Sequence, residues 1–268
     1  MKIKSPYLVK PDAKINLARI DASEHNGFES EQAAEAVLAK RRQQLIDLQD
    51  VFSASRKKAL LIVLQGMDTA GKDGTISHIF CGVNPQGCNV ASFKVPTPIE
   101  ASHDLLWRAH AQVPPRGMIH IFNRSHYEDI LVPYVHKLIS RSKIRQHIAD
   151  IRRFEDMLTD NDVVILKFFL HISGDEQKRR LQARIDDPGK HWKLSEGDFA
   201  ERRFWSDYQE AYEKLLPATS RKHAPWFIIP SNHKWYRNVV ISEILVHVMT
   251  GLKLQYPNPT LDPTKIKL

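Results

Sequence analysis

The sequence predicts an α/β protein with a parallel five-stranded sheet covered by helices on both faces. Short apolar runs alternate along the chain with longer segments of helical periodicity. The runs are continuously apolar, as in strands that are buried on both sides. A glycine-rich turn separates the first run from the next helical segment, which is the local context of a phosphate-binding loop. Alternation of this kind builds right-handed crossovers and therefore a parallel sheet.

The elements follow in order along the chain. Residues 30–56 are predicted as a helix, because apolar residues from Ala33 to Phe52 fall near one stripe. Strands are predicted at 59–65, 89–93, 118–122, 163–172 and 225–230. Helices are predicted at about 98–112, 125–158, 174–186, 198–216 and 234–253.

The chain is predicted to form a single domain over residues 29–255, because no Pro/Gly linker or internal repeat divides it. Residues 1–28 are polar with little periodicity and are predicted as an N-terminal arm. Residues 256–268 are rich in proline and are predicted as a loosely held C-terminal tail.

Composition narrows the class of protein. The net charge of +8 over 268 residues favours a polyanionic partner: nucleic acid, an anionic membrane or a chain of phosphates. No apolar run has the length of a membrane span, and the N-terminus lacks the apolar core of a secretory signal. Cys81 and Cys88 do not have the spacing of a zinc site and suit a reducing compartment, so a cytoplasmic location is expected.

The stretch GMDTAGKDG at 66–74 fits a phosphate-binding P-loop at Gly66, Gly71 and Lys72. Glycines allow the loop to turn its amide groups inward as an anion nest, and the following helix adds its dipole. Lysine supplies a point charge for the terminal phosphates. The predicted phosphate-binding set in the loop is Gly66, Ala70, Gly71, Lys72, Asp73 and Gly74.

Two carboxylates make this loop unusual. Asp73 stands where Ser or Thr is expected, and Asp68 lies inside the loop. A carboxylate beside phosphate is repulsive unless a cation lies between them, so the pair indicates Mg²⁺. Asp73 could instead be a charge at the helix N-terminus, and Asp68 a turn residue that caps local amides.

A second dense stretch, NRSHYED at 123–129, follows the strand predicted at 118–122. Ligands of an open α/β sheet bind beyond the carboxyl ends of its strands. Arg124 is predicted to neutralise a transferring phosphoryl group, and Asp129 or Glu128 to hold a second metal ion or orient an acceptor. Glu128 could also be a charge of the first helical turn, and His126 is more often structural than catalytic.

The segment 176–193 is basic and includes Arg180, Arg184, Lys190 and Lys193. Most charge runs are solvated helix faces, and taken alone this segment favours that interpretation. After the fourth strand of a P-loop protein, however, such a segment suits a mobile lid that closes over phosphates.

Five stretches together resemble the polyphosphate kinase 2 family: GMDTAGKDGTI, FNRSHYEDILV, LKFFLHIS, the basic segment ending in HWK, and WYRN at 235–238. The likeness covers about residues 30–255. It implies a three-layer P-loop kinase fold similar to thymidylate kinase, with a helical lid over about residues 174–197. It also implies phosphoryl transfer between inorganic polyphosphate and nucleotides with Mg²⁺ (or Mn²⁺), and a homo-oligomer.

The resemblance assigns roles to single residues. Asp68 matches a metal ligand, Lys72 a phosphate contact, and Asp73 the usual residue at its place. Some members carry Asp where this chain has Asn123, so Asp129 is predicted to supply that missing metal ligand. Phosphate binding is implied for Arg124, Arg180, Arg184, Lys190 and Lys193, and nucleotide binding for Asn123, Arg124, Glu128 and Asp129.

The variant N-R-S-H-Y-E-D looks like the subgroup that acts on both nucleoside mono- and diphosphates, so AMP, ADP and ATP are the expected nucleotides. An ATP-dependent nucleotide or small-molecule kinase of the same fold is the alternative. A nucleic-acid-binding protein without catalysis is a third interpretation, although no basic patch is interleaved with stacking aromatics.

Overall fold

The structure is a computed structural model that describes residues 5–262, apart from the side chain of Asp198. Its core is a five-stranded parallel sheet, as predicted. The strands are β1 (Ala59–Gln65), β2 (Cys88–Ser92), β3 (Ile119–Asn123), β4 (Val163–His171) and β5 (Trp226–Pro230). Their order across the sheet is β2-β3-β1-β4-β5.

Ten α-helices surround the sheet within the described residues. They are α1 (Glu31–Ser55), α2 (Lys72–Ile79), α3 (Pro98–Ala101), α4 (Trp107–His110), α5 (Glu128–Val135), α6 (Arg141–Asp160), α7 (Gly174–Ile185), α8 (Glu196–Arg202), α9 (Trp205–Thr219) and α10 (Lys234–Gly251). Helices α1, α2 and α10 pack together in one layer, and α5, α6 and α9 in another. The predicted three-layer P-loop kinase fold is therefore confirmed. None of the helices within residues 5–262 is long and apolar enough to cross a membrane.

Three predicted helices are interrupted. The one predicted at 98–112 is the short helices α3 and α4 with a turn between them, and the one at 198–216 breaks between α8 and α9. The helix predicted at 125–158 is divided into α5 and α6. Lys137 adopts a left-handed φ of 55°, and Ser140 caps α6 by accepting a hydrogen bond from the Lys143 amide.

Residues 5–28 are held against the domain despite their polar sequence. The Val9 amide donates to the Trp226 carbonyl at 2.9 Å, and Leu8 forms an antiparallel bridge with Phe227 at the β5 edge. Leu17 is fully buried in the main core. At the other end of the chain, Tyr256 donates to Asp50 at 2.6 Å, and residues 263–268 of the predicted tail lie outside the described residues.

The strand order places the first loop at a topological switch point. From β1 the chain crosses over β3 to reach β2, whereas β4 and β5 lie on the other side of β1. The loop between β1 and α2 therefore lies at the centre of the sheet edge, where open α/β sheets bind their ligands.

Candidate active site

A cavity of about 1110 Å³ lies at the carboxyl ends of the strands, around the loop that follows β1. Among the residues that the structure describes, eleven Lys and Arg side chains line it, against four Asp and Glu: Glu31, Glu35, Asp68 and Asp73. Such a charge balance suits a polyanionic ligand. The remaining lining comes from the ends of β2 and β3, from α1 and from α10.

The loop has the backbone shape of an anion-binding loop. Gly66 lies so close to β4 that a Cβ would stand 2.8 Å from the Leu170 carbonyl oxygen. Gly71 adopts a left-handed φ of 100° directly before α2, where it lines the cavity. Thr69, with φ 66°, and Arg124, with φ 59°, are non-glycine residues in the same strained region, which is common at ligand sites.

Lys72 is folded back over the loop. Its Nζ donates to the Gly66 carbonyl at 2.9 Å and to the Met67 carbonyl at 3.4 Å. Burial, together with the charge of Arg124, lowers the pKa of Lys72, while the neighbouring carboxylates oppose this change. A phosphate in the cavity would favour the charged form of Lys72.

Two arginines hold the outer side of the loop. Arg180 donates from Nη1 to the carbonyls of Thr69 and Ala70 and from Nη2 to those of Ser231 and Asn232, at 2.6–3.0 Å. Arg237 donates from Nη1 to the Ala70 carbonyl at 3.1 Å. With its carbonyls held on that side, the loop presents Gly71, Lys72, Asp73 and Gly74 to the cavity.

These contacts place two of the residues that were predicted to bind phosphate, and their phosphate-binding role stays a prediction. Arg180, expected to clamp phosphate from the lid, belongs to the cavity lining, and its largely buried guanidinium also binds backbone carbonyls and Glu176. Ala70 was expected to bind phosphate, but its amide donates to the Met67 carbonyl at 3.0 Å and its carbonyl accepts from both arginines. Both residues shape the loop. Gly66, likewise, packs on β4 and does not belong to the cavity lining.

Acidic side chains of both sequence motifs meet beside the loop. Asp68 accepts from Arg124 Nη2 at 2.7 Å, and Asp73 accepts from Asn123 Nδ2 at 2.6 Å. Burial raises the pKa of Glu128, an effect that the charges of Arg124 and Lys72 oppose. The structure thus brings the P-loop and the end of β3 together, as the sequence predicts.

Asp129 does not join this group. Both of its carboxylate oxygens accept hydrogen bonds from Arg108, and the residue is absent from the cavity lining. Burial raises the pKa of Asp129, and the charge of Arg108 opposes the change. The structure therefore does not bring the predicted second metal ligand next to Asp68, and Glu128 is the carboxylate that senses the charge of Asp68.

The oxygen donors beside the loop fit a magnesium ion. Among the residues that the structure describes, no three His, Cys, Asp or Glu side chains form a group that could hold a metal by themselves. Mg²⁺ is usually bound by one or two carboxylates and completes its shell with water and substrate phosphates. Asp68 and Asp73, which both line the cavity, provide such a partial set.

The segment 174–197, predicted as a lid, contributes five cations to the lining of the cavity: Arg179, Arg180, Arg184, Lys190 and Lys193. Arg184, Lys190 and Lys193 therefore lie where a phosphate-clamping role requires them. Lys190 also pairs with Asp187 at 2.6 Å, and Lys193 lies over the Trp192 ring at 4.9 Å.

Five of the lining cations were not among the predicted site residues: Arg42, Lys94, Arg179, Lys234 and Arg237. Lys94 follows directly after the predicted strand 89–93, and that position was the available signal. Lys234 and Arg237 come from the start of α10; Arg237 lies within the WYRN motif, and Lys234 directly precedes it. Burial, with the nearby charge of Arg180, lowers the pKa of Arg237 to about 9.

His126, within the NRSHYED motif, is structural in this fold. The ring is fully buried among Phe122, Tyr127 and Phe154, and neither ring nitrogen has a hydrogen-bond partner among the described residues. Among residues 5–262, it neither lines the cavity nor has a hydrogen bond through which it could exchange a proton with a ligand there.

Comparison with known proteins gives a consistent result. The sequence profile described as Polyphosphate kinase 2 (PPK2) matches residues 28–257. The chain is 49% identical over 261 residues to the AMP/ADP-polyphosphate phosphotransferase of Meiothermus ruber, covering 97% of this chain and 98% of that protein. It is 40% identical to the ADP-polyphosphate phosphotransferase of Rhodopseudomonas palustris, covering 97% and 94%. The crystal structure of polyphosphate kinase 2 from Arthrobacter aurescens TC1 superposes with a TM-score of 0.91 at 41% identity, covering 96% of this chain and 92% of that one.

Proposed function

The chain belongs to the polyphosphate kinase 2 family, and we propose that it transfers phosphoryl groups reversibly between inorganic polyphosphate and the nucleotides AMP and ADP. The observation that carries the proposal is the uneven charge of the cavity. Seven of its eleven Lys and Arg side chains come from the elements after β4 and β5: Arg179, Arg180, Arg184, Lys190, Lys193, Lys234 and Arg237. A ligand with a charge at every unit needs cations along its length.

The opposite side of the cavity suits a nucleotide. After β2 and β3 the described part of the lining has two cations, Lys94 and Arg124, beside the apolar Phe93 and Val95. Small-molecule sites usually combine apolar walls with a few polar groups. We therefore assign polyphosphate to the β4–β5 side and the acceptor to the β2–β3 side. We call Phe93, Lys94 and Val95 the acceptor wall.

The residues between the two sides are suited to in-line transfer. Lys72 and the amides of the loop hold the reacting phosphates, and Arg124 balances charge on the group in transit. The acceptor is a phosphate that is already ionised at neutral pH, so the reaction does not require a strong general base. The lid closes over the phosphates and keeps out water, which would otherwise compete as acceptor.

A divalent cation belongs to the proposal. We assign Mg²⁺ (or Mn²⁺) to Asp68, with Asp73 and Glu128 as neighbouring carboxylates, and leave out Asp129 because Arg108 occupies its oxygens. When bound, such an ion neutralises phosphate charge and orients the phosphates. Asp68→Asn is expected to reduce turnover strongly and to raise the Mg²⁺ concentration needed for half-maximal rate. Full turnover at unchanged Mg²⁺ dependence would remove Asp68 from this role.

The deciding experiment is a phosphotransfer assay with Mg²⁺, long-chain polyphosphate, and AMP or ADP offered separately. ATP from ADP, and ADP followed by ATP from AMP, are the expected products. Product from ADP alone would keep the donor and reject AMP as acceptor. Transfer from ATP to another acceptor, with none from polyphosphate, would establish an ATP-dependent kinase instead. Steep salt-dependent binding to any DNA, without transfer, would indicate a nucleic-acid-binding protein. The homo-oligomer and the cytoplasmic location stay predictions.

A further inference from the structure

A largely buried ion pair connects α4 to the start of α5, behind the lining residues Lys94 and Arg124. Arg108, on α4, is 8% exposed, and its Nη2 donates to the Asp129 oxygens at 2.9 and 3.0 Å. Nε of the same guanidinium lies 3.3 Å from Asp129 Oδ2. Asp129 is in the first turn of α5, next to Glu128. Arg108 is therefore fixed in a bidentate geometry at the start of α5.

The third nitrogen of this guanidinium holds the acceptor wall. Arg108 Nη1 donates to the Lys94 carbonyl at 2.7 Å, and the guanidinium carbon lies 5.4 Å from the centroid of the Phe93 ring. One side chain thus touches two successive residues of the wall. Arg108 thereby connects Phe93 and Lys94 to α5, the helix that begins at Glu128 shortly after Arg124.

The wall has little other support at this point. The last ladder bond of β2 runs from the Phe93 amide to the Asn123 carbonyl at 3.0 Å. Within residues 5–262, no backbone–backbone hydrogen bond involves Lys94 or Val95, and Val95 is 88% exposed. The direction in which the chain leaves the sheet is set by the bond that Arg108 donates.

We propose that Arg108 is a positioning residue for the acceptor nucleotide, and that Asp129 is retained to hold Arg108 rather than a metal ion. The pair fixes the distance between the acceptor wall and the end of β3, so that Lys94 meets the acceptor phosphates opposite the P-loop. This inference rests on the proposed function, because it assumes that the acceptor lies on the β2–β3 side. It explains why two adjacent carboxylates, Glu128 and Asp129, have different surroundings.

The chemistry of the pair makes it testable. Arg108→Lys keeps one positive charge. Lysine has a single nitrogen, however, so it cannot reproduce the bidentate hydrogen bonds to the carboxylate together with the hydrogen bond to the Lys94 carbonyl. Asp129→Asn keeps the shape but loses the charge that holds the guanidinium. Lys94→Met removes the ammonium that the pair is inferred to position.

The test compares the wild type with Arg108→Lys, Asp129→Asn, Lys94→Met and the double variant Arg108→Lys/Lys94→Met. For each protein it measures kcat, the KM of ADP, the KM of polyphosphate and the Mg²⁺ dependence. We expect each single change to raise the KM of ADP about tenfold, since small misplacements of binding groups are costly. The KM of polyphosphate and the Mg²⁺ dependence should stay within about twofold. The double variant should be no worse than Lys94→Met alone, because residues that act through one another are not additive.

A control breaks a more exposed pair of ion pairs at the other edge of the sheet, far from the cavity. Asp162 accepts from Lys58 at 2.6 Å and from Arg116 at 3.0 Å beside the amino ends of β1 and β4. Asp162→Asn should leave the KM of ADP unchanged. Calorimetric titration of ADP into each variant, with its unfolding temperature, provides a readout that does not depend on turnover.

Three results would overturn the inference. A raised Mg²⁺ requirement in Asp129→Asn at unchanged KM of ADP would make Asp129 a metal ligand. An unchanged KM of ADP in Arg108→Lys, while Lys94→Met raises it, would show that the wall does not need the pair. Equal increases for ADP and polyphosphate would indicate general loosening of the fold. If the wild-type protein transfers nothing from polyphosphate, the proposed function fails; the calorimetric affinities for ADP then decide this inference separately, and equal affinities of the wild type and Arg108→Lys would overturn it.

Discussion

Replacing His126 by Phe should remove a large part of the sensitivity of this protein to acid. The buried ring has no hydrogen-bond partner among the described residues, and burial with the charges of Lys167 and Arg108 lowers its pKa from 6.5 to about 3. The Glu155 carboxylate lies 3.9 Å from His126 Nε2, too far for a hydrogen bond, and Glu155 accepts instead from Lys167 and Tyr127.

The sign of the effect follows from proton binding. Below pH 6.5 the unfolded chain binds a proton at His126 that the folded protein does not, so stability falls as the pH decreases towards about 3. At 1.36 kcal/mol per pKa unit, the full loss is about 5 kcal/mol. Between pH 7.5 and pH 5.0 the loss attributable to His126 is about 2 kcal/mol.

The measurement is urea denaturation at both pH values, followed by tryptophan fluorescence, for the wild type and His126→Phe. Phe keeps the aromatic contacts with Phe122 and Phe154 and cannot be protonated. The variant should lose about 2 kcal/mol less than the wild type on going to pH 5.0. Phe154→Leu, which loosens the same cluster without changing a charge, should be weakened by a similar amount at both pH values. A pH dependence of His126→Phe parallel to that of the wild type would refute the reasoning.

Two further predictions concern stability and the loop. The Lys167 ammonium is fully buried and pairs with Glu155 at 2.5 Å. Glu155→Gln removes this counter-charge, so the free energy of unfolding, measured by urea denaturation, should fall by about 3–5 kcal/mol. Gly71→Ala would place a Cβ 2.2 Å from Arg237 Nη1 in a left-handed backbone, which costs about 1–2 kcal/mol before the guanidinium moves. Since the loop must shift, kcat should fall by about 10²-fold in the polyphosphate assay.

Each of these variants has a control within the same chain. Glu210 pairs with Lys214 on the surface, so Glu210→Gln should lower the free energy of unfolding by less than about 1 kcal/mol. An equally small loss for Glu155→Gln would contradict the buried-charge argument. Gly27 has φ 85° with nothing within 4 Å of its would-be Cβ. In Gly27→Ala the only destabilisation is therefore that of a non-glycine residue in a left-handed backbone, and kcat should not change. An equal loss of activity in Gly27→Ala and Gly71→Ala would disprove the role of the Arg237 contact.

The sequence alone determined the sheet, the phosphate-binding loop and the family. These features are local: strand periodicity, the positions of Gly66 and Gly71, and short motifs next to strand ends. The sequence also put the loop and the NRSHYED stretch at the carboxyl ends of two parallel strands, and in the structure the two stretches meet through Asp68 and Arg124, at 2.7 Å. Domain boundaries, the roles of site residues, the metal and the oligomer are expectations that the structure does not test.

The tertiary structure decided which groups each member of a local pair contacts. Glu128 and Asp129 are neighbours in sequence, but successive side chains of a helix point about 100° apart, and Arg108 is placed to bind Asp129. Arg180 and Arg184 share a helix face, yet Arg180 is drawn to carbonyls 110 residues away in the loop. Arg237 reaches the same Ala70 carbonyl across 167 residues. Contacts between groups so far apart along the chain follow from packing, which local periodicity does not encode.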